Sequence, residues 1–122
     1  QIQAGEKGIQ FEHDSFQNLL AKAAKENKLI FLDCYTSWCG PCRMMANNVF
    51  TKPNVGEFFN RHFINVKIDM EKGEGKELAK KYQVRAFPTL LFIDKNGNVV
   101  ERTMGAKSPQ VLLEIAQEVL KK

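Results

Sequence analysis

From Phe16 onward, apolar residues return every three to four positions: Phe16, Leu19, Leu20, Ala23 and Ala24. That spacing puts them on one face of a helix. Asp14, with Gln17 at the third helical position, predicts a capping box at its start, and Asn27 predicts its end. The run from Leu29 to Tyr35 is apolar except for Asp33, which predicts a central strand buried on both faces. Met44, Met45, Val49 and Phe50 then continue a helical pattern. Pro53, which lacks an N–H and clashes with the preceding turn, is expected to interrupt it, and a second short helix should carry Val55, Phe58 and Phe59.

Between Phe63 and Asp69, Ile64, Val66 and Ile68 alternate with Asn65 and Lys67, which predicts a strand with one well-buried face. Residues 71 to 75 read as a loop, and Leu78, Ala79 and Tyr82 as a helix of about two turns. Thr89 to Ile93 predicts a strand. Asp94-Lys95-Asn96-Gly97-Asn98 is turn chemistry, and Val99 to Arg102 returns as the second arm of an antiparallel hairpin. Ser108 and Pro109 start the last helix, with Val111, Leu112, Ile115, Ala116, Val119 and Leu120 as its core face. Strands joined through helices should run parallel, and the hairpin should add an antiparallel edge. The expected class is therefore α/β: a central mixed sheet with helices on both faces. No repeat, linker or low-complexity stretch divides the chain, so residues 1–122 are expected to form one domain.

Composition narrows the function. Hydrophobic residues make up 43% and charged residues 26%, as in a globular protein rather than a disordered one. No apolar run approaches the ~18 residues of a membrane-spanning helix. The net charge of +4 is spread among interleaved acids and bases, as in Glu71-Lys72-Gly73-Glu74-Gly75-Lys76-Glu77. A nucleic-acid partner is not expected, because such binders gather Lys and Arg on one face with aromatic residues. Three cysteines are too few for a disulfide framework. The chain begins at Gln1 without Met and is expected to be a mature or trimmed form.

Two of those cysteines carry the chemistry. Cys39 follows the buried strand and opens a helix, in Trp38-Cys39-Gly40-Pro41-Cys42. A helix N-terminus offers unpaired N–H groups and the positive end of the macrodipole, and both stabilise a thiolate. The thiolate is the nucleophile, so a cysteine pKa lowered from ~8.5 raises reactivity. Cys42 lies one turn on, where it can close a disulfide with Cys39. Pro41 suits the first turn, and Gly40 allows the chain to turn tightly into it. Half a zinc site would need a second ligand pair, and Cys34, His13 and His62 do not form one. No metal and no organic cofactor is expected. Cys34 alternates with Asp33 and should point to the opposite face as a buried, inert hydrophobe. Asp33, in an apolar strand, should have a raised pKa through desolvation.

At these residues the sequence resembles the thioredoxin family, over about residues 9 to 120. Trp38-Cys39-Gly40-Pro41-Cys42 is identical to the family's active-site run. Phe87-Pro88-Thr89 stands at its cis-proline loop, Asp33 matches its buried acid six residues before the first cysteine, and Gly105 matches a glycine of the substrate-facing surface. The resemblance implies the thioredoxin fold and a protein-disulfide reductase. Cys39, Cys42 and Asp33 would be catalytic, with Trp38, Gly40, Pro41, Phe87, Pro88, Thr89 and Gly105 touching substrate. Two departures stand out. Asn65 occupies the position of the family's buried lysine, leaving Lys67 two residues on and on the same side of the strand, and Asn47 replaces a helix-kinking proline. Residues 49 to 55 resemble exported relatives such as the C-terminal domain of the thiol reductase DsbD. That implies a periplasmic or otherwise extracytoplasmic location, with the cytoplasm as the alternative. The implied partners are a disulfide-containing protein substrate and a thiol reductase as electron donor, acting on a monomer. Two rivals stay open: the same chemistry as a disulfide oxidase or isomerase, and a binding module whose cysteines do not turn over.

Overall fold

The computed structural model describes residues 8–122. Its elements are α1 (Phe16–Glu26), β1 (Leu29–Tyr35), α2 (Gly40–Asn48), α3 (Pro53–His62), β2 (Phe63–Asp69), α4 (Gly75–Lys81), β3 (Thr89–Ile93), β4 (Val99–Met104) and α5 (Pro109–Val119). The four strands form one sheet in the order β2-β1-β3-β4. No helix among the described residues is long and apolar enough to cross a membrane.

The expected α/β class and mixed sheet are observed, but one strand direction differs. β1 and β2 are parallel, whereas β3 runs antiparallel to β1 although a helix precedes it. The reason is reach. A seven-residue strand spans about 23 Å, and the seven residues of α4 rise only about 10 Å. The short helix by itself does not carry the chain back to the end where β2 began, and β3 starts near where β2 stops. α2 and α3 together, with 9 and 10 residues, do span the distance and return β2 parallel to β1.

Alternation along the strands builds two cores. Ile30, Leu32, Ile64, Val66, Leu91 and Ile93 meet α1 and α4 on one face. Phe31, Phe63, Leu90 and Phe92 meet Met45, Phe59 and Leu112 of α2, α3 and α5 on the other. Phe31 is fully buried among rings, with centroids 4.8 Å from Phe59 and 5.2 Å from Phe92. β2 is buried on both faces over its first half, not on one. Asn65 is only 2% exposed and donates to the carbonyls of Phe59 and Phe63, closing the C-terminus of α3.

Several local expectations shift. The N-cap of α1 is Ser15, whose hydroxyl accepts from Asn18 N–H at 3.1 Å. Asp14 instead accepts from the Ser15 N–H and the Asn18 side chain, so the cap lies one residue later than expected. Ala24 is exposed, as are Val111 of α5 and Leu120 at its C-cap, because a helix packed on a sheet buries a narrower stripe than the pattern of apolar residues suggests. α2 ends at Asn48, before Pro53, with two helix-weak asparagines at its end. Val49 and Phe50 leave the helix and turn into the core, and Pro53 is the first residue of α3 rather than a breaker.

The segment 8–12 lies against α3 and the free edge of β2. Ile9 N–H donates to Phe50 O and Glu12 N–H to Asn65 O, each at 2.8 Å. Gly8 and Gly56 approach so closely that a Cβ on Gly56 would fall 2.4 Å from the Gly8 backbone.

Replacing Phe31 by Ala should cost about 3–5 kcal/mol, because the surrounding rings hold the cavity open. Urea denaturation checks this. A fall in midpoint at unchanged slope is expected, and a loss below about 1 kcal/mol would show that this core is not packed as described.

Candidate active site

β1 ends at Tyr35, and a short bend through Thr36 and Ser37 delivers Cys39 to the start of α2. Cys39 is the N-cap residue, in extended conformation, and its Sγ accepts from Cys42 N–H at 3.1 Å. An N-cap position is ordinarily filled by an oxygen side chain. Here a sulfur takes it, so one of the helix's orphan N–H groups points at the reactive atom. Cys39 and Cys42 are disulfide-bonded, with Cα atoms 5.3 Å apart. Gly40 and Pro41 are exposed at the surface of the first turn.

Both cysteine residues are nearly buried, at 4% and 6% exposure, so approach to the sulfurs is shaped by the rim around them. Trp38 is 63% exposed and stands edge-on to Phe87, with centroids 5.9 Å apart. Its indole N–H donates to Glu71 at 3.0 Å, which fixes the ring's orientation from the loop after β2. The Phe87–Pro88 peptide is cis. Gly105, at φ 89°, donates its N–H to Pro88 O at 2.9 Å, so the loop before β3 and the end of β4 are joined. Trp38, Gly40, Pro41, Phe87, Pro88 and Gly105 thus belong to one region at this end of the sheet. Thr89 differs: it is fully buried, and its hydroxyl donates back to Ala86 O at 2.6 Å, shaping the loop from within.

Asp33 sits behind the disulfide. It lines a cleft of about 110 Å³ with Tyr35, Thr36, Cys39, Cys42 and Lys67. Asp33 is 2% exposed, and its Oδ1 has no hydrogen-bond partner among the described residues. Desolvation raises its pKa to about 7, against the partial opposition of the Lys67 charge. Lys67 lies directly across from Asp33 in the β1–β2 register. Cys34, on the opposite face, is completely buried in the core cluster that includes Ile30, Leu32 and Tyr82, and burial pushes its thiol well above the ordinary range. It does not line the cleft and faces the other side of the sheet, as its alternation with Asp33 predicts.

Three parts of the site had no sequence reading. Glu71 reaches Trp38 across the sheet end. Arg43 lines the cleft and donates to Ser37 O. Phe11 places its ring under Lys67. Arg43 could have been found from its position next to Cys42. Glu71 and Phe11 leave no local signal, because only the fold brings them there.

Comparison with known proteins agrees with this geometry. Residues 16–120 match the thioredoxin-like domain family. A thioredoxin H-type protein of Oryza sativa subsp. indica is 35% identical over 119 residues, covering 95% of this chain and 92% of its own length. Thioredoxin H4 of Arabidopsis thaliana is 38% identical over 98 residues, covering 80% and 77%. Among solved structures, a candidate disulphide-isomerase from Bacteroides thetaiotaomicron is 49% identical and superposes with a TM-score of 0.84, covering 99% and 98% of the two chains. A Thermus thermophilus thioredoxin shares the fold at a TM-score of 0.81, with 23% identity and 93% and 88% of the chains covered. With its cysteine pair at a helix start, a buried acid behind it and a cis-proline loop on the same sheet, the chain belongs to the thioredoxin-like family of thiol–disulfide oxidoreductases.

Proposed function

We propose that the protein is a protein-disulfide reductase. The observation that carries this reading is Cys39 at the N-cap of α2, its sulfur facing the N–H of Cys42. In the dithiol form, that N–H and the helix dipole favour the Cys39 thiolate. The thiolate attacks one sulfur of a substrate disulfide, and a Cys39–substrate disulfide forms as the other substrate sulfur leaves and takes a proton. Cys42 gives its proton to Asp33, attacks Cys39 Sγ and releases the second substrate sulfur. The Cys39–Cys42 disulfide then closes, and two electrons have passed to the substrate. Asp33 suits the proton step because a carboxyl with a pKa of about 7 exchanges protons readily near neutral pH.

The exposed Trp38 and half-buried Phe87 offer an apolar rim to an extended substrate segment. Backbone groups near Phe87 would pair with it, and Gly40, Pro41 and Gly105 would let its backbone come close. Thr89 would act indirectly, by holding the loop. The protein works as a monomer and single domain, needs no metal or organic cofactor, and draws electrons from a thiol reductase. The resemblance of residues 49 to 55 to exported relatives supports an extracytoplasmic home.

Disulfide isomerisation is the second reading, favoured by the 49% identical Bacteroides protein described as a candidate isomerase. The reduction potential separates the two. Equilibration with defined thiol–disulfide buffers should give a value near about −270 mV. A value near about −180 mV would favour isomerisation, one near about −120 mV oxidation, and the absence of any two-electron transition a binding module.

Cys39→Ser should reduce turnover of a disulfide-bonded protein to background. Cys42→Ser should instead accumulate a mixed disulfide, visible by intact mass. Full turnover by Cys39→Ser would overturn the assignment.

Asp33 also makes stability depend on pH. Below about pH 4 its carboxyl is protonated in both folded and unfolded chains and contributes no difference. As pH rises toward about 7, the unfolded chain releases the proton and the folded one keeps it, so stability falls; above that the full penalty remains. Asp33→Asn should therefore gain on the parent as pH rises from 4 to 8, by roughly 2–4 kcal/mol. Urea midpoints of both oxidised proteins at pH 4, 6 and 8 measure it, and parallel curves would mean that Asp33 ionises normally.

A further inference from the structure

Asp33 and Lys67 face each other across two strands, yet the Lys67 ammonium is held by rings. Its Nζ lies over Tyr35, 5.1 Å from the ring centroid, and over Phe11, 5.5 Å from the centroid. Tyr35 belongs to β1 and is two residues from Asp33, so its place follows from the strand. Phe11 comes from outside the sheet. It is held by the Glu12 N–H bond to Asn65 O on β2, by the Ile9 N–H bond to Phe50 O, and by an edge contact of its ring with Phe50 at 5.3 Å. Asn65 turns its amide toward the end of α3, leaving Lys67 as the cation of β2 on the cleft.

We propose that Phe11 is a positioning residue of the redox site: by holding the Lys67 ammonium at the Asp33 cleft, the docked segment 8–12 tunes how tightly Asp33 binds a proton. A lysine on a flexible stem ordinarily carries its charge into water. The negative faces of two aromatic rings oppose that tendency. Near the cleft, the charge favours the carboxylate over the carboxylic acid. Other charged or titratable groups near Asp33 come from several elements: the adjacent Cys34 thiol, on the opposite face, is kept protonated by burial, and Asp69 of β2 accepts from Glu71 N–H and lies 3.8 Å from Lys72 Nζ. α2 contributes Cys39, Cys42 and Arg43, whose guanidinium is engaged with Ser37 O. β1 contributes the Tyr35 phenol. β3 places apolar Leu90 opposite Asp33. Glu12, the acid beside Phe11, is paired with Lys22 at 2.7 Å. The cleft is also large enough for water, so a proton can pass between Cys42 and Asp33 without direct contact. The effect on turnover rests on the reading of Asp33 as proton acceptor, whereas the tuning of its proton affinity does not.

The test is a carbon-13 NMR titration of the Asp33 carboxyl in the oxidised protein, without substrate. Phe11→Leu keeps apolar bulk against Phe50 but removes the ring face, and it should raise the proton affinity of Asp33 measurably, by at most about fivefold. Phe11→Met should do the same if the leucine variant folds poorly, and Phe11→Tyr should preserve the parent titration. Lys67→Met should raise the affinity at least as far, and adding Phe11→Leu to it should change nothing more. An unchanged midpoint in Phe11→Leu or in Lys67→Met overturns the proposal. So does a further shift in the double variant, which would mean that Phe11 acts by excluding water. If the titrations behave as expected while Asp33→Asn leaves the pH profile of disulfide reduction unaltered, the proton-acceptor role fails and the positioning role stands.

Discussion

Strand β1 is paired on both edges and buried on both faces, and the rest of the molecule takes its position from it. A strand so placed must satisfy every backbone group through its neighbours and fill two cores with alternating side chains. Phe31 anchors one core, while Ile30 and Leu32 anchor the other. The same alternation puts Asp33 on the Phe31 face, one step nearer the end where α2 begins. The acid behind the disulfide and the ring at the centre of the core are therefore placed by one periodicity.

Two opposite electrostatic environments are built a few residues apart on this strand and the helix that follows. At Cys39, an orphan N–H points at the sulfur from the helix start, the end of the helix that would stabilise negative charge there once the disulfide is reduced. At Asp33, burial disfavours negative charge on oxygen strongly enough to move the carboxyl from about 4 to about 7. In the proposed mechanism the reduced Cys39 reacts as the thiolate, and Asp33 takes the proton of Cys42. The separation depends on desolvation more than on any ion pair, because the lysine facing Asp33 opposes the shift only in part.

The rim is assembled from distant parts of the chain. Trp38 is oriented by Glu71 from the loop after β2, and it stacks edge-on against Phe87 from the loop before β3. Gly105, after β4, closes on the carbonyl of Pro88. The segment 8–12 reaches the lysine beside Asp33 through close backbone contact with α3, which the Gly8–Gly56 approach permits. Each connection crosses between elements, so the surface around the cysteines is a property of the packed sheet end rather than of one loop.

Local chemistry in the sequence determined much of this. The 3.6- and 2-residue periods locate the helices and strands, the Asp94–Asn98 turn specifies a hairpin, and Ser108-Pro109 starts α5, because each depends only on neighbouring residues. The cysteine pair at a helix start and the burial of Asp33 were legible for the same reason. Tertiary structure decided the rest. The direction of β3 follows from the path of the whole segment between β2 and β3, and the burial of Asn65 from the docking of α3 and the segment 8–12. The exposure of Val111 and Leu120 follows from how much of α5 the sheet can cover. The partners of Trp38 and Lys67 lie 33 and 56 positions away along the chain, at Glu71 and Phe11, and no local pattern records a contact that only folding makes.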